Sequence, residues 1–200
     1  MGTQKLSMML GASAPSSGTR DPLDYYATEP KALVSFLKKL DEDNLYLSEK
    51  IWEPACGGGH LSNVLLKKGY NVLSTDIAVR YDGANEYDFL KPSKDMFWSG
   101  DILTNPPFKH VESFLRNGLE LVEEGNYVIL LQRIMFLESS KRYKLFQEFP
   151  PKYVYVHSSR IAIAKSGDFK KYEKGGRSMC FAWYVWEKGF EGEPRLRWIP

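Results

Sequence analysis

Apolar residues recur along the chain in two rhythms. Leu33, Phe36, Leu37 and Leu40 follow Pro30 at spacings of three and four, which predicts a helix over 30–40 with proline in its first turn. Leu61, Val64 and Leu65 predict a second helix over 60–68, stopped by Gly69. Val111, Phe114 and Leu115 predict a third over 110–124, stopped by Gly125, and 140–149 reads as a fourth. Between them lie short apolar runs bounded by turn residues, which predict strands over 50–53, 71–75, 101–104, 127–131 and 153–157. Two further runs, 161–164 and 180–187, flank a polar, glycine-containing stretch, so antiparallel pairing at one end of the sheet is expected there. Alternation of strand and helix makes the fold class α/β, with a mostly parallel sheet of seven strands and helices on both faces. Residues 1–20, rich in Ser, Gly, Ala, Thr and Pro, read as a flexible leader, and 21–200 as one domain. The tail 195–200 carries no assignment.

Composition narrows the picture. The chain has 200 residues, 43% hydrophobic and 26% charged, which suits a globular fold and excludes collagen, coiled coil and wholesale disorder. No uncharged apolar run approaches the roughly 18–20 residues a membrane span needs. Met8-Met9-Leu10 is too short for the core of a secretory signal. Two cysteines, Cys56 and Cys180, give neither a disulfide framework nor a zinc pattern, so a reducing cytoplasm and no metal are expected. Net charge is +2, but residues 160–177 alone carry +4, enough to attract a polyanion. By charge alone an ordinary solvated loop is the better explanation of them.

Candidate chemistry gathers where strands end. Glu53-Pro54-Ala55-Cys56-Gly57-Gly58-Gly59 joins a strand to a helix. Glycines there permit positive φ and close approach of a ligand, and the helix start offers free N–H groups. Ser62 stands where a dinucleotide fingerprint wants Gly or Ala, and there is no Walker motif. Asp76 closes the next strand, 19 residues beyond Gly57, a spacing that suits an acid holding ribose hydroxyls. Asn105-Pro106-Pro107-Phe108 follows another strand. Two prolines fix φ and remove two N–H donors, leaving a stiff turn rich in acceptors. Such a turn can receive both hydrogens of a planar exocyclic amine while Phe108 stacks on its ring, drawing the nitrogen toward sp³ and freeing its lone pair.

Asn-Pro-Pro-Phe downstream of Glu-Pro-Ala-Cys-Gly-Gly-Gly resembles the S-adenosylmethionine-dependent amino-methyltransferases, in particular the phage-type, Dam-like DNA N6-adenine methyltransferases, over about residues 24–187. The resemblance implies a Rossmann-like methyltransferase fold and a set of cofactor contacts. Thr28, in Asp24-Tyr25-Tyr26-Ala27-Thr28-Glu29-Pro30, would meet the methionine carboxylate; Glu53 would sit near its ammonium, with Ala55, Gly57 and Gly59 in the turn beneath. Asp76 and Ile77 would hold ribose and adenine, Asp88 would receive the adenine amine with Phe89 beside it, and Asn105 would complete the cofactor site. Asn105, Pro106, Pro107 and Phe108 match the catalytic turn, and 179–187 is similar to an aromatic final strand. His60-Leu61 departs from the pattern where relatives carry an aromatic residue, and no separate target-recognition domain fits.

The expected reaction is direct methyl transfer to adenine N6 of DNA, with no covalent enzyme intermediate; Cys56 packs and His110 is a surface residue at a helix start. DNA cytosine N4, RNA adenine, a protein glutamine amide and a non-catalytic nucleic-acid-binding module are the alternatives. On duplex DNA the base must leave the stack, with Phe108 as its platform. Lys165, Lys170, Lys171, Lys174 and Arg177 would then neutralise phosphates, extended by Arg133, Lys141, Arg142 and Lys144. A monomer or weak dimer, from a bacterium, mobile element or phage, is the accompanying expectation.

Overall fold

The structure, a computed structural model, describes residues 25–93, 95–165, 167–169 and 179–200. The leader over 1–20, and Lys170, Lys171, Lys174 and Arg177, lie outside the described residues. In chain order the elements are β1 (Tyr26–Thr28), α1 (Pro30–Glu42), β2 (Lys50–Glu53), α2 (His60–Lys67), β3 (Asn71–Asp76), β4 (Ala84–Glu86), β5 (Asp101–Thr104), α3 (Val111–Leu121), β6 (Tyr127–Arg133), a 3-10 turn (Ile134–Leu137), α4 (Ser140–Glu148), β7 (Tyr153–His157), β8 (Ile163–Lys165), β9 (Phe181–Glu187) and β10 (Arg195–Ile199). No helix among the described residues is long and apolar enough to cross a membrane.

The fold class is as expected: a large, mostly parallel sheet with helices on both faces. Three details differ. The sheet has eight strands, in the order β10-β7-β9-β6-β5-β2-β3-β4, not seven. The antiparallel strand is not at an end, because β9 lies between β6 and β7 and runs against both. Its residues Phe181 to Trp186 are all buried, and a strand covered on both faces belongs inside a sheet. The segment 161–164 does not pair with β9. Instead β8 forms a separate two-stranded ribbon with β1, placing Thr28 opposite Ile163 and Tyr26 opposite Lys165. The tail left unassigned is the edge strand β10, parallel to β7 and carrying Arg195 and Arg197. Charged side chains on such an edge discourage pairing with another chain.

Two apolar layers hold the sheet. On one face Leu33, Phe36 and Leu40 of α1 and Leu61 and Leu65 of α2 pack against Leu103, Leu131, Tyr155 and Trp183. Phe36 stacks on Trp183 with ring centroids 4.9 Å apart. On the other, Phe114, Leu115 and Leu119 of α3 and Leu145 of α4 cover Trp52, Ile102, Val128, Tyr184 and Trp186. The neighbouring parallel strands β5, β2 and β3 end at Thr104, Glu53 and Asp76, so three expected site residues or their neighbours are set side by side at the carboxyl edge of the sheet.

Candidate active site

A cleft opens along that edge, holding about 1080 Å³ of empty space with its mouth included. Its wall carries Thr28, Glu53, Ala55, Asp76, Ile77, Asp88 and Phe89, and Asn105, Pro106, Pro107 and Phe108 face the same space. Every expected cofactor and catalytic residue faces this cleft except Gly57 and Gly59, which lie in the turn between its lining residues Cys56 and His60.

Gly57 and Gly59 have φ of +52° and +71°, a region where side-chain-bearing residues are strained. Each is also overlaid by a tyrosine. A Cβ on Gly57 would lie 2.2 Å from the Tyr25 ring, and one on Gly59 would lie 2.5 Å from the Tyr81 ring. The Tyr25 hydroxyl accepts the Gly58 N–H at 3.1 Å. Asp76 ties this turn to β3: its Oδ2 accepts the Gly57 N–H at 2.8 Å and its Oδ1 accepts the Ala78 N–H at 2.9 Å. Arg80 lies 3.5 Å from Asp76 Oδ1, and its guanidinium rests 5.0 Å over the Tyr25 ring. An arginine four residues past a strand-ending acid was the available signal for it, but nothing in the sequence marks Tyr25 as its stacking partner.

Glu53 is wholly buried and accepts a hydrogen bond from the Ser62 hydroxyl. Ser62 in turn lies 2.6 Å from the Ser74 hydroxyl. Burial pushes the Glu53 carboxyl up to about 8; the bonds from Ser62 work against that shift, and the charge of Asp76 adds to it. The serine that breaks the dinucleotide fingerprint is therefore the residue that holds this acid. Burial likewise pushes the Cys56 thiol up to about 12, with Glu53 and Asp76 contributing, so the thiol stays protonated and packs. Asp88 is held by the Leu90 N–H at 3.0 Å and by Lys91 at 3.1 Å, and Lys91 keeps its carboxyl below the usual range. Phe89 is buried, with its ring edge-on to Trp52 at 5.1 Å and 4.9 Å from Phe114, so it forms floor as much as wall.

The Asn105 amide is oriented from one side. Its Nδ2 donates to the Tyr26 carbonyl at 3.1 Å and to Thr28 Oγ1 at 3.0 Å, both on β1. Its Oδ1 is buried and, among the described residues, has no hydrogen-bond partner. A buried carbonyl oxygen without a donor is costly, and Asn105 is one of the residues that line the cleft. Phe108 is half-buried; its ring lies 6.2 Å from Phe181, and the Arg133 guanidinium rests 4.9 Å over it. His110 is half-exposed at the cleft and precedes α3 without capping it.

Thr28 therefore acts on Asn105 directly. Thr28→Val removes the acceptor at nearly constant volume and frees the amide to turn, whereas Thr28→Ser keeps it. Turnover is expected to fall about ten-fold or more in the valine variant, in line with a lost hydrogen bond of ~1.5 kcal/mol, and to recover in the serine variant. Steady-state kinetics of the two, with KM for the methyl acceptor largely unchanged, check it.

No family model matches the sequence, and no curated protein matches it. Solved structures do share its architecture. A Listeria monocytogenes protein assigned as a class I S-adenosylmethionine-dependent methyltransferase aligns with TM-score 0.58 and 12% identity over 98% of this chain and 70% of its own. A Pyrococcus horikoshii protein assigned as an RNA methyltransferase aligns with TM-score 0.58 and 15% identity over 94% of this chain and 98% of its own. The type IIG restriction endonuclease BpuSI aligns with TM-score 0.55 and 14% identity over 82% of this chain and 25% of its own. The chain has the Rossmann-like methyltransferase fold. At such identities the likeness bears on the fold alone, and the chemistry rests on the cleft. Among the described residues no cluster of His, Cys, Asp and Glu is arranged to hold a metal ion.

Proposed function

We propose that this protein is an S-adenosylmethionine-dependent methyltransferase acting on the N6 amine of adenine in DNA. The observation that carries the reading is the Asn105 amide: its nitrogen is engaged by Tyr26 and Thr28, and its buried oxygen waits for a donor beside two prolines and a half-exposed Phe108. An exocyclic NH₂ is the donor that fits. Accepting its hydrogens at Asn105 Oδ1 and a main-chain carbonyl shifts electron density back onto the nitrogen, and Phe108 stacks on the attached ring.

The remaining residues suit the cofactor. Glu53 is a buried acid with no cation bonded to it among the described residues, and a ligand ammonium would supply one. Thr28 Oγ1 accepts from Asn105 and keeps its own proton for a carboxylate. Asp76, already bonded to two main-chain N–H groups, has lone pairs left for ribose hydroxyls. Ile77, 54% exposed, offers an apolar surface to the adenine, and Asp88 an acceptor for its amine. When bound, the cofactor supplies an electrophilic methyl group. The protein's own part is to orient and partly desolvate the amine, and positioning of this kind is worth about 7–11 kcal/mol.

RNA adenine is the second reading, since one full-length fold neighbour is assigned as an RNA methyltransferase. Incubating the protein with methyl-labelled cofactor and, separately, DNA, RNA and protein decides between them. Label recovered as N6-methyladenine from DNA is the expected outcome. Label confined to RNA nucleosides favours the second reading, and label in none of the three removes both.

A further inference from the structure

Beside the cleft stands a feature that cofactor binding and amine activation do not use. The 3-10 turn Ile134–Leu137 follows β6 directly and exposes two large apolar side chains, Met135 at 65% and Leu137 at 46%. Single exposed apolar residues are ordinary on a protein surface. This turn, however, is held rigid. Phe136, between the two, is buried edge-on against Tyr184 at 5.4 Å and Phe146 at 5.5 Å. The Arg142 guanidinium lies 4.8 Å over the Phe136 ring and donates to the carbonyl oxygens of Met135, Phe136 and Glu138 at 3.0, 2.6 and 3.0 Å. Rigid presentation of apolar tips to water is costly unless something covers them.

Position and charge say what does. Arg133, the last residue of β6, leans over Phe108 of the proline turn, so Met135 and Leu137 begin two residues from the group that touches the candidate base platform. On the other side, Lys141 and Lys144 are exposed and, three residues apart, share one side of α4. Tyr143, 66% exposed, lies between them in sequence. Arg116, by contrast, is tied to Glu112 and Glu148. Glu138 is the acid on this stretch, against Arg133, Lys141, Arg142 and Lys144. A rigid apolar prong flanked by cations, next to a pocket for one planar amine, complements a polyanionic duplex whose target base has left the stack.

We propose that Met135 and Leu137 form a wedge that enters the base stack of duplex DNA and fills the gap left by the extruded adenine, while Lys141 and Lys144 hold the flanking phosphates. The proposal rests on the DNA reading above. It names the surface and the residues that open the duplex.

The test separates the two. Binding of a 20-base-pair duplex is followed by fluorescence anisotropy across a salt series, and methyl transfer is measured on that duplex and on its single strand. Met135→Ala/Leu137→Ala is expected to lower the duplex-to-single-strand activity ratio about ten-fold, since a single strand has no stack to part. Lys141→Gln/Lys144→Gln is expected to reduce the slope of log K against log salt by about 1.8, the value for two phosphate contacts. All four residues are exposed, and unchanged thermal melting confirms that the variants fold. An unaltered activity ratio together with an unaltered salt slope overturns the proposal. Wild-type protein that binds the duplex with the expected slope change in the lysine variant, but methylates no adenine, supports the surface and removes the adenine reading. Wild-type protein that does not bind the duplex overturns both.

Discussion

Asn105→Ala is expected to lower turnover by roughly 10²–10³-fold, the usual effect of deleting one preorganised polar group at a reacting centre. The reason lies in how the amide is held. Tyr26 and Thr28 take both Nδ2 hydrogens, so the amide cannot flip without breaking two bonds, and the oxygen is fixed toward the substrate. Alanine removes that acceptor and leaves the rest of the cleft standing. The loss therefore falls on turnover far more than on cofactor affinity. Asn105→Asp keeps an oxygen but places a charged group against the Tyr26 carbonyl, and it is expected to recover only part of the rate. Single-turnover rates with labelled cofactor, beside calorimetric titration with S-adenosylhomocysteine, measure the two effects separately. A variant that loses cofactor affinity in proportion to rate would falsify the assignment of Asn105 to the amine.

Glu53 leads to the second large effect. With its carboxyl at about 8, against 4.5 for an unperturbed glutamate, the acid is protonated in the free protein at neutral pH. A ligand ammonium beside it favours the carboxylate, so binding releases a proton. Affinity for S-adenosylhomocysteine is then expected to rise with pH up to about 8, by at most about ten-fold per unit, and to level off above. Glu53→Gln is expected to weaken binding and abolish that dependence, and titrations in buffers of different ionisation enthalpy count the proton. The same group acts on stability with a definite sign. A carboxyl raised in the folded state contributes stability that is complete below about 4.5 and is lost as pH rises through about 8. Wild type should therefore lose melting temperature relative to Glu53→Gln across that interval. The scale is about 1.4 kcal/mol per pKa unit, so several kcal/mol are at stake.

Much of this architecture was legible from the sequence, for identifiable reasons. β2, β5 and β7 occur where short apolar runs meet abrupt turn chemistry, and α1 where Leu33, Phe36, Leu37 and Leu40 keep a helical period. Strand ends fix the site, so Glu53, Asp76 and the Asn105 turn could be placed together without coordinates. What escaped was non-local. β1 and β8 have three residues each, too few to show alternation, and each is a strand only because the other exists. That ribbon carries Thr28 and the Tyr26 carbonyl, so the orientation of Asn105 depends on a contact 79 positions away in sequence. The interior place of β9 has a sequence signal of its own: Phe181 to Trp186 is an unbroken run without polar alternation, as a strand covered on both faces requires. Ser62 looked like a defect in a fingerprint because its partners, Glu53 and Ser74, lie on two other elements.

The insertion of β9 between β6 and β7 also constrains how the chain reaches its final form. β6 and β7 are consecutive strands in the chain, yet neither hydrogen-bonds to the other; β6 pairs with residues made 48 to 60 positions later and β7 with residues made 26 to 32 positions later. A nascent chain that has emerged only as far as α4 can assemble the half built on β2, β3 and β5. The half carrying Tyr155, Tyr184 and Trp186 must wait, its apolar edges open, until β9 itself has been made.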